Sequence, residues 1–417
     1  MPERIEHRRL GCGMEMAAMH MPDRPVAAIT LRLLAGYTYE PADLLGLAHV
    51  CDEAIIKGTA KHDGRALNDA FDAIGAAHGS YAGRESFGFH CLCLPEFVPQ
   101  AVDLLAEMIL TPSFPPDACR VAVELTRQSL AALDDDPQEM AKKLLHRQAY
   151  GQPLGRHPLG ENETLDRIER EHLVRHWRRF FFPANMQFSI TGAVEPDRLA
   201  DLLERIFGNT AADRRDSGAP DEPLSPHALR FQPGRSHHHK DLEQEYVVFC
   251  FPASSVTDDD FPAEQVLLGV LAGGMSGRLF TEVREKQGLV YWVGAWSDHP
   301  RGGGAMHFGA STTPERVEQT YDTLLREINR IRDDLTVEET QRAINSLVAQ
   351  VQTRGDTSRA RANRLADDLF YYGKPVPIEE KIARVQAVTV RDLQEYLDGH
   401  PRDQLSVVTL GPKELKR

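Results

Sequence analysis

A chain of 417 residues is too long for one ordinary hydrophobic core, which excludes a single small domain and predicts roughly two to four domains or layers. Hydrophobic residues at 41%, charged residues at 26% and the lack of any low-complexity stretch exclude extensive disorder. The 48 Lys and Arg against 62 Asp and Glu leave a net charge of −14, which repels phosphate backbones and anionic lipid, so neither nucleic acid nor a membrane is an expected partner.

The first ten residues are polar and charged, without the apolar run of a signal peptide, and no stretch of about 18 apolar residues follows, which predicts a cytoplasmic protein. The six cysteines, Cys12, Cys51, Cys91, Cys93, Cys119 and Cys250, form no C-x-x-C pair and are expected as buried, reduced thiols. Strands are predicted over 27–34 and 87–94, the second carrying Cys91 and Cys93 on one face, and helices over 97–110 and 116–133. Residues 44–59 have helical apolar spacing and run to Gly58, where a left-handed C-terminal cap is expected. On this helix His49 and Glu53 are four residues apart and share a face, a spacing that lets two side chains approach one ion.

Residues 209–230 are polar, charged and Pro-rich, and read as a linker. On either side the order of elements repeats. Tyr150-Gly151-Gln152-Pro153 leads to a helical stretch and a strand at 188–192, and Tyr372-Gly373-Lys374-Pro375 leads to another helical stretch and a strand at 405–409. The strands near 26–35 and 245–251 correspond in the same way. The predicted organisation is an N-terminal half, 1–212, a linker, 213–228, and a C-terminal half, 229–417. The predicted class is α+β, with two homologous halves, each an antiparallel sheet covered by helices, arranged as a clamshell.

The frame Gly46-Leu47-Ala48-His49 with Lys57-Gly58-Thr59 resembles that around the inverted zinc motif H-x-x-E-H of the pitrilysin/insulinase (inverzincin) metallopeptidases, in the bacterial and mitochondrial-processing-peptidase-like branch. That resemblance implies two histidines and a distant glutamate as zinc ligands, with the glutamate inside the motif as base. Position by position, His49 is retained, Asp52 stands at the base position and Glu53 at the second histidine. The distant ligand of the related peptidases falls, by the same register, on Ser129 (129 − 53 = 76). Glu124 on the same predicted helix is five residues, or about 140°, away around the axis. A catalytic zinc keeps three protein ligands and an open position, so this chain is expected to bind no metal of its own, with His49 and Glu53 as weak candidates.

The stretch Gly273-Gly274-Met275-Ser276-Gly277-Arg278-Leu279, continued by Val283-Arg284-Glu285 and Gly288-Leu289-Val290-Tyr291, closely resembles the family's second-half signature, with a helix expected over 278–287 and ended by Gly288. In two-subunit members the chain without the zinc motif supplies an Arg/Tyr pair from this signature to peptide near its partner's metal, and Arg284 and Tyr291 match that pair. The alternative for Arg284 is an ion pair with Glu282 or Glu285. The family also adds peptide to a sheet edge, and its Asn-Ala edge motif is replaced here by His78-Gly79-Ser80-Tyr81.

The resemblance thus implies the non-zinc subunit of a two-subunit zinc metallopeptidase, with zinc in a homologous partner, a heterodimer as the working unit and a peptide as substrate. A non-catalytic scaffold, like the core subunits of respiratory complexes, and an atypical self-contained zinc peptidase are the other readings. His237-His238-His239 reads as a solvated strand start beside the linker.

Overall fold

A computed structural model describes residues 4–213, 224–355, 357–400 and 402–416; most of the expected linker, 214–223, lies outside the described residues. The strands are β1 (Arg4–Arg9), β2 (Glu15–His20), β3 (Ala27–Leu33), β4 (Ala77–Ala82), β5 (Phe87–Cys93), β6 (Met186–Gly192), β7 (Gly234–His239), β8 (Glu245–Ala253), β9 (Val290–Asp298), β10 (Gly304–Thr312) and β11 (Ser406–Gly411). They form two sheets, ordered β1-β2-β6-β3-β5-β4 and β7-β11-β8-β10-β9. No helix among the described residues is long and apolar enough to cross a membrane.

The fold is α+β, and the faint sequence repeat is a repeat of topology. Without β1, the first sheet has the same strand order as the second, with β2, β6, β3, β5 and β4 standing where β7, β11, β8, β10 and β9 stand. Each sheet departs from pure antiparallel pairing at one place, β2 with β6 and β7 with β11, which run parallel. Side-chain alternation marks a strand and its buried face but carries no direction, so this pairing was not readable from the sequence pattern.

By contacts the chain divides into two compact units, one of Met1–Ala131, His157–Ser225 and Arg354–Val376, the other of Ala132–Arg156, Pro226–Thr353 and Pro377–Arg417. Two helices therefore pack on the sheet that belongs to the other part of the sequence. In the first unit, helix Ser358–Tyr372 lies on β2, β3 and β6: Leu365 and Leu369 join Ala17 and Met19, Thr30 Oγ1 donates to Asn363 at 2.8 Å, and Arg32 donates to Asp367 at 2.8 Å. That is why β3 is buried over most of its length although Thr30 and Arg32 are polar. Phe87, Phe89 and Phe181 pack ring against ring in the same unit.

In the second unit β8 divides its side chains between two cores. Val247, Phe249 and Phe251 meet helices Phe261–Ala272 and Val317–Asp334, whereas Val248 and Cys250 meet Ala141, Leu145, Ala149 and Tyr150 of helix Pro137–Tyr150. The two exchanged helices end in the two repeated Tyr-Gly pairs, Tyr150-Gly151 and Tyr372-Gly373. All six cysteines are buried and free, as expected.

Candidate functional site

The motif helix is Leu47–Ile55. Gly46, at φ +96°, makes the turn into it, and a β-carbon there would meet Leu165 and the Leu159 carbonyl. The buried Glu40 carboxylate receives the Gly46 N–H at 2.9 Å and the Ala48 N–H at 2.6 Å, satisfying donors that begin a helix without partners. Leu47, Ala48, Val50, Cys51, Ala54 and Ile55 are buried, leaving His49, Asp52 and Glu53 half-buried. The end differs from expectation. Ile56, in right-handed conformation, caps the helix, and Gly58, at φ +152°, lies beyond it bridged to Asp63, where a β-carbon would strike Ser113 Oγ.

Asp52 faces the edge strand β4. Burial raises its carboxyl to about 6, an effect opposed by the Ser80 hydroxyl and the Ala82 backbone and assisted by the negative charge of Glu53. Burial also lowers His49, against the pull of Glu53, so the imidazole is neutral at pH 7. Ser129 sits on an exposed position of helix Pro116–Leu133, as does Glu124. The residues therefore do not fit a catalytic zinc. His49 and Glu53 offer two donors, and the group of three His and Asp side chains found close together among the described residues lies elsewhere, in the second unit.

The held-up Asp52 has a consequence for stability. Its protonated form favours folding, so its contribution is complete below the reference value of 3.8 and is lost as pH rises through about 6. Asp52→Asn is expected to match the wild type at pH 4 and to be more stable at pH 8 by on the order of 2 kcal/mol. Melting curves at the two pH values check it. A wild type that gains on the variant as pH rises contradicts the placement of Asp52.

The second-half signature is irregular in the places that bear Arg284 and Tyr291. Phe280–Glu285 is a turn of π-helix where a plain helix was expected, the kind of insertion found often at functional sites. Val283 and Leu279 are buried beneath it, and Gly288 at φ +59° ends it in the left-handed conformation, as expected. In the β9–β10 ladder Trp292 pairs with Ser311 and Val290 with Thr312, so Tyr291 is the extra residue of a bulge. The bulge turns its side chain outward, and Tyr291 is 77% exposed. The Arg284 guanidinium lies 5.8 Å from the Tyr291 ring centre and 4.9 Å from that of Phe280.

Glu282 is occupied by Lys286 at 2.8 Å and Arg330 at 3.5 Å, and no carboxylate pairs with Arg284 among the described residues. Two exposed groups in an arrangement worth about 0.5–1 kcal/mol do little for folding. Chemically, the pair offers a rigid fork of donors and a phenol hydroxyl side by side, beside an edge strand. Strands β4 and β9 hold the same edge position in their two sheets. The resemblance to the family signature singled out Arg284 and Tyr291 but not the three residues His146, Asp298 and His307, whose donor atoms lie within 4.8 Å of one another. They come from one helix and two strands, so no local spacing marks them.

Residues 15–162 match the family model described as insulinase, peptidase family M16, and residues 167–347 the model of the peptidase M16 inactive domain. An uncharacterized zinc protease of Rickettsia felis is 25% identical over 418 residues, covering 100% of both chains. One of Mycobacterium tuberculosis is 26% identical over 407 residues, covering 97% of this chain and 92% of that protein. The crystal structure of a peptidase M16 inactive domain from Pseudomonas fluorescens superposes with a TM-score of 0.88 at 20% identity, covering 99% of each chain, and shares the fold.

Proposed function

The chain belongs to the M16 peptidase family, and from that premise we propose that it is the non-zinc subunit of a two-subunit zinc metallopeptidase. In this reading it pairs with a zinc-bearing homologue as a heterodimer, contributes half of a shared peptide chamber, and presents Arg284 and Tyr291 to peptide bound in the partner's site. The observation that carries it is the Arg284–Tyr291 arrangement: a π-helical turn and a β-bulge hold both side chains outward, adjacent and without a carboxylate partner for the arginine among the described residues. A guanidinium donates to a peptide carbonyl, and a phenol donates to an oxygen that gains negative charge as the carbonyl is attacked.

Similarity to proteins named zinc proteases brings the self-contained peptidase with it as a second reading. Asp52 tied to β4, Glu53 in place of a histidine and the exposed Ser129 weigh against it. The six buried free thiols support a reducing compartment, and so a cytoplasmic site of action.

The test is reconstitution. The purified chain, supplied with zinc, is expected to leave peptides uncut, and mixing it with a homologue that carries an intact H-x-x-E-H is expected to produce cleavage that neither chain shows alone. Cleavage by this chain by itself, retained when His49 is present and lost in His49→Ala, overturns the proposal in favour of the self-contained peptidase. A mixture no more active than the homologue alone favours the scaffold.

A further inference from the structure

We propose that the second unit carries a binding site for a divalent first-row transition metal, Zn²⁺ by choice, formed by His146, Asp298 and His307. His146 stands on helix Pro137–Tyr150, Asp298 ends β9, and His307 lies inside β10. One donor atom from each falls within 4.8 Å of the others, with His146 Nε2 and Asp298 Oδ2 at 3.7 Å. Donors bound at about 2.0–2.1 Å in a tetrahedral site are roughly 3.4 Å apart, so the three close on an ion by about 1 Å, within reach of side-chain rotation at the two half-buried positions.

The register explains the convergence. Ala305 pairs with Asp298 and His307 with Trp296, so Asp298, Trp296 and His307 all project from one face of the β9–β10 ladder. That is the face covered by helix Pro137–Tyr150, whose Ala149 and Tyr150 pack with Ala305. His146 and Tyr150, four residues apart, both point at the strands, and the two rings stack at 5.1 Å.

The surroundings suit ligation. His307 is fully buried, stacked on Trp296 at 5.3 Å, and its Nε2 lies 2.7 Å from Tyr150 Oη. When the Nε2–H donates to the phenol oxygen, Nδ1 is the unprotonated nitrogen, the second-sphere arrangement that orients metal-bound histidines. His146 and Asp298 keep side-chain exposures of 27% and 23%, which leaves a path for an ion. The nearby positive charge, Lys142, rests over the Trp296 ring at 5.2 Å and is paired with Glu139 at 2.6 Å. Two imidazoles and one carboxylate select zinc, cobalt or nickel over calcium and magnesium, which take oxygen ligands. Three protein ligands leave one position for water.

Such an ion ties the helix to the hairpin whose first strand begins beside Tyr291, so its expected effect is on the stability of the second unit. The site is independent of the subunit proposal, which is read by peptide cleavage, whereas this one is read by binding and melting.

The chain, stripped by a chelator and dialysed, is titrated with Zn²⁺ by calorimetry and with Co²⁺ by visible absorption. One ion per chain is expected, with a Co²⁺ band and a rise in melting temperature of roughly 5 °C at saturating zinc. Because both imidazoles must be unprotonated, binding is expected to fade as pH falls below about 6. His146→Gln and Asp298→Asn, at half-buried positions and close in volume to the native residues, are each expected to weaken binding at least tenfold and cancel the thermal shift. The same titration of a His49→Gln, Glu53→Gln variant is expected to be unchanged. A wild type that takes up no ion, or His146→Gln and Asp298→Asn variants that bind as it does, overturns the site; so does binding lost only with His49 and Glu53. Circular dichroism of the metal-free variants separates lost binding from lost folding, and either variant alone suffices.

Discussion

Replacing Arg284 with alanine is expected to lower peptide cleavage by the reconstituted pair by roughly a hundredfold, with the melting temperature of this chain nearly unchanged. The size follows from the role. Removing one preorganised donor from the oxygen that gains charge in the transition state costs about 10²–10³ in rate in well-studied acyl-transfer sites. The small structural effect follows from the environment, since Arg284 is exposed, lies over the rings of Phe280 and Tyr291, and has no carboxylate partner among the described residues. Tyr291→Phe keeps the ring stack and removes the hydroxyl, so it isolates the phenol's share. Arg284→Lys keeps the charge but not the fork and is expected to recover only part of the rate. A scaffold subunit is indifferent to all three, and wild-type rates in Arg284→Ala and Tyr291→Phe together sink the catalytic-partner reading.

The route from sequence to this site shows which features a linear pattern carries. The positions of β3, β5, β6, β8 and β11 were legible because each is an apolar run bounded by turn residues, and helix Pro116–Leu133 because its period is regular. The paired Tyr-Gly-x-Pro stretches were legible as a repeat, but what they end was not. Helices Pro137–Tyr150 and Ser358–Tyr372 have ordinary amphipathic faces, and nothing in an apolar stripe says which of two similar sheets it covers. Gly58 looked like a helix cap because glycine after an apolar run is usually one. Here the close approach of Ser113 and the bridge to Asp63 require it instead.

At the signature, the family resemblance named Arg284 and Tyr291 but not the backbone features that present them. A π-helical turn and a bulge each insert a single residue, and both are decided by packing of Val283, Leu289 and Val290 beneath them rather than by composition. His146, Asp298 and His307 were illegible for a related cause, since the contact of a helix with two paired strands brings them together.

The signature also contains a second arginine, and the structure gives it the opposite duty. Arg278 is 7% exposed. Its Nε and Nη2 donate to the two oxygens of Glu339, both at 2.8 Å, and it also donates to the side chain and, at 3.1 Å, to the carbonyl of Asp334. It thereby joins the end of helix Val317–Asp334 to the start of helix Val337–Arg354, where Glu339 also receives the N–H and hydroxyl of Thr336. Burial pushes the Glu339 carboxyl up, but Arg278 and Thr336 outweigh it and hold the group at about 2. Arg278→Ala leaves that carboxylate without its fork, and removing one partner of a well-bonded buried pair costs about 3–5 kcal/mol; with Asp334 half exposed, roughly 2–4 kcal/mol is expected for the second unit. Because the folded value of Glu339 is depressed, its contribution is present in full above the unfolded value near 4.5 and is lost as pH falls through about 2. Denaturant melts should therefore show a wide gap between wild type and variant at pH 7 that narrows below pH 3. The two arginines then separate cleanly: Arg284→Ala loses rate and keeps stability, while Arg278→Ala loses stability and, under conditions where it remains folded, keeps its contribution to the pair. An Arg278→Ala chain that melts with the wild type at pH 7 overturns the structural assignment.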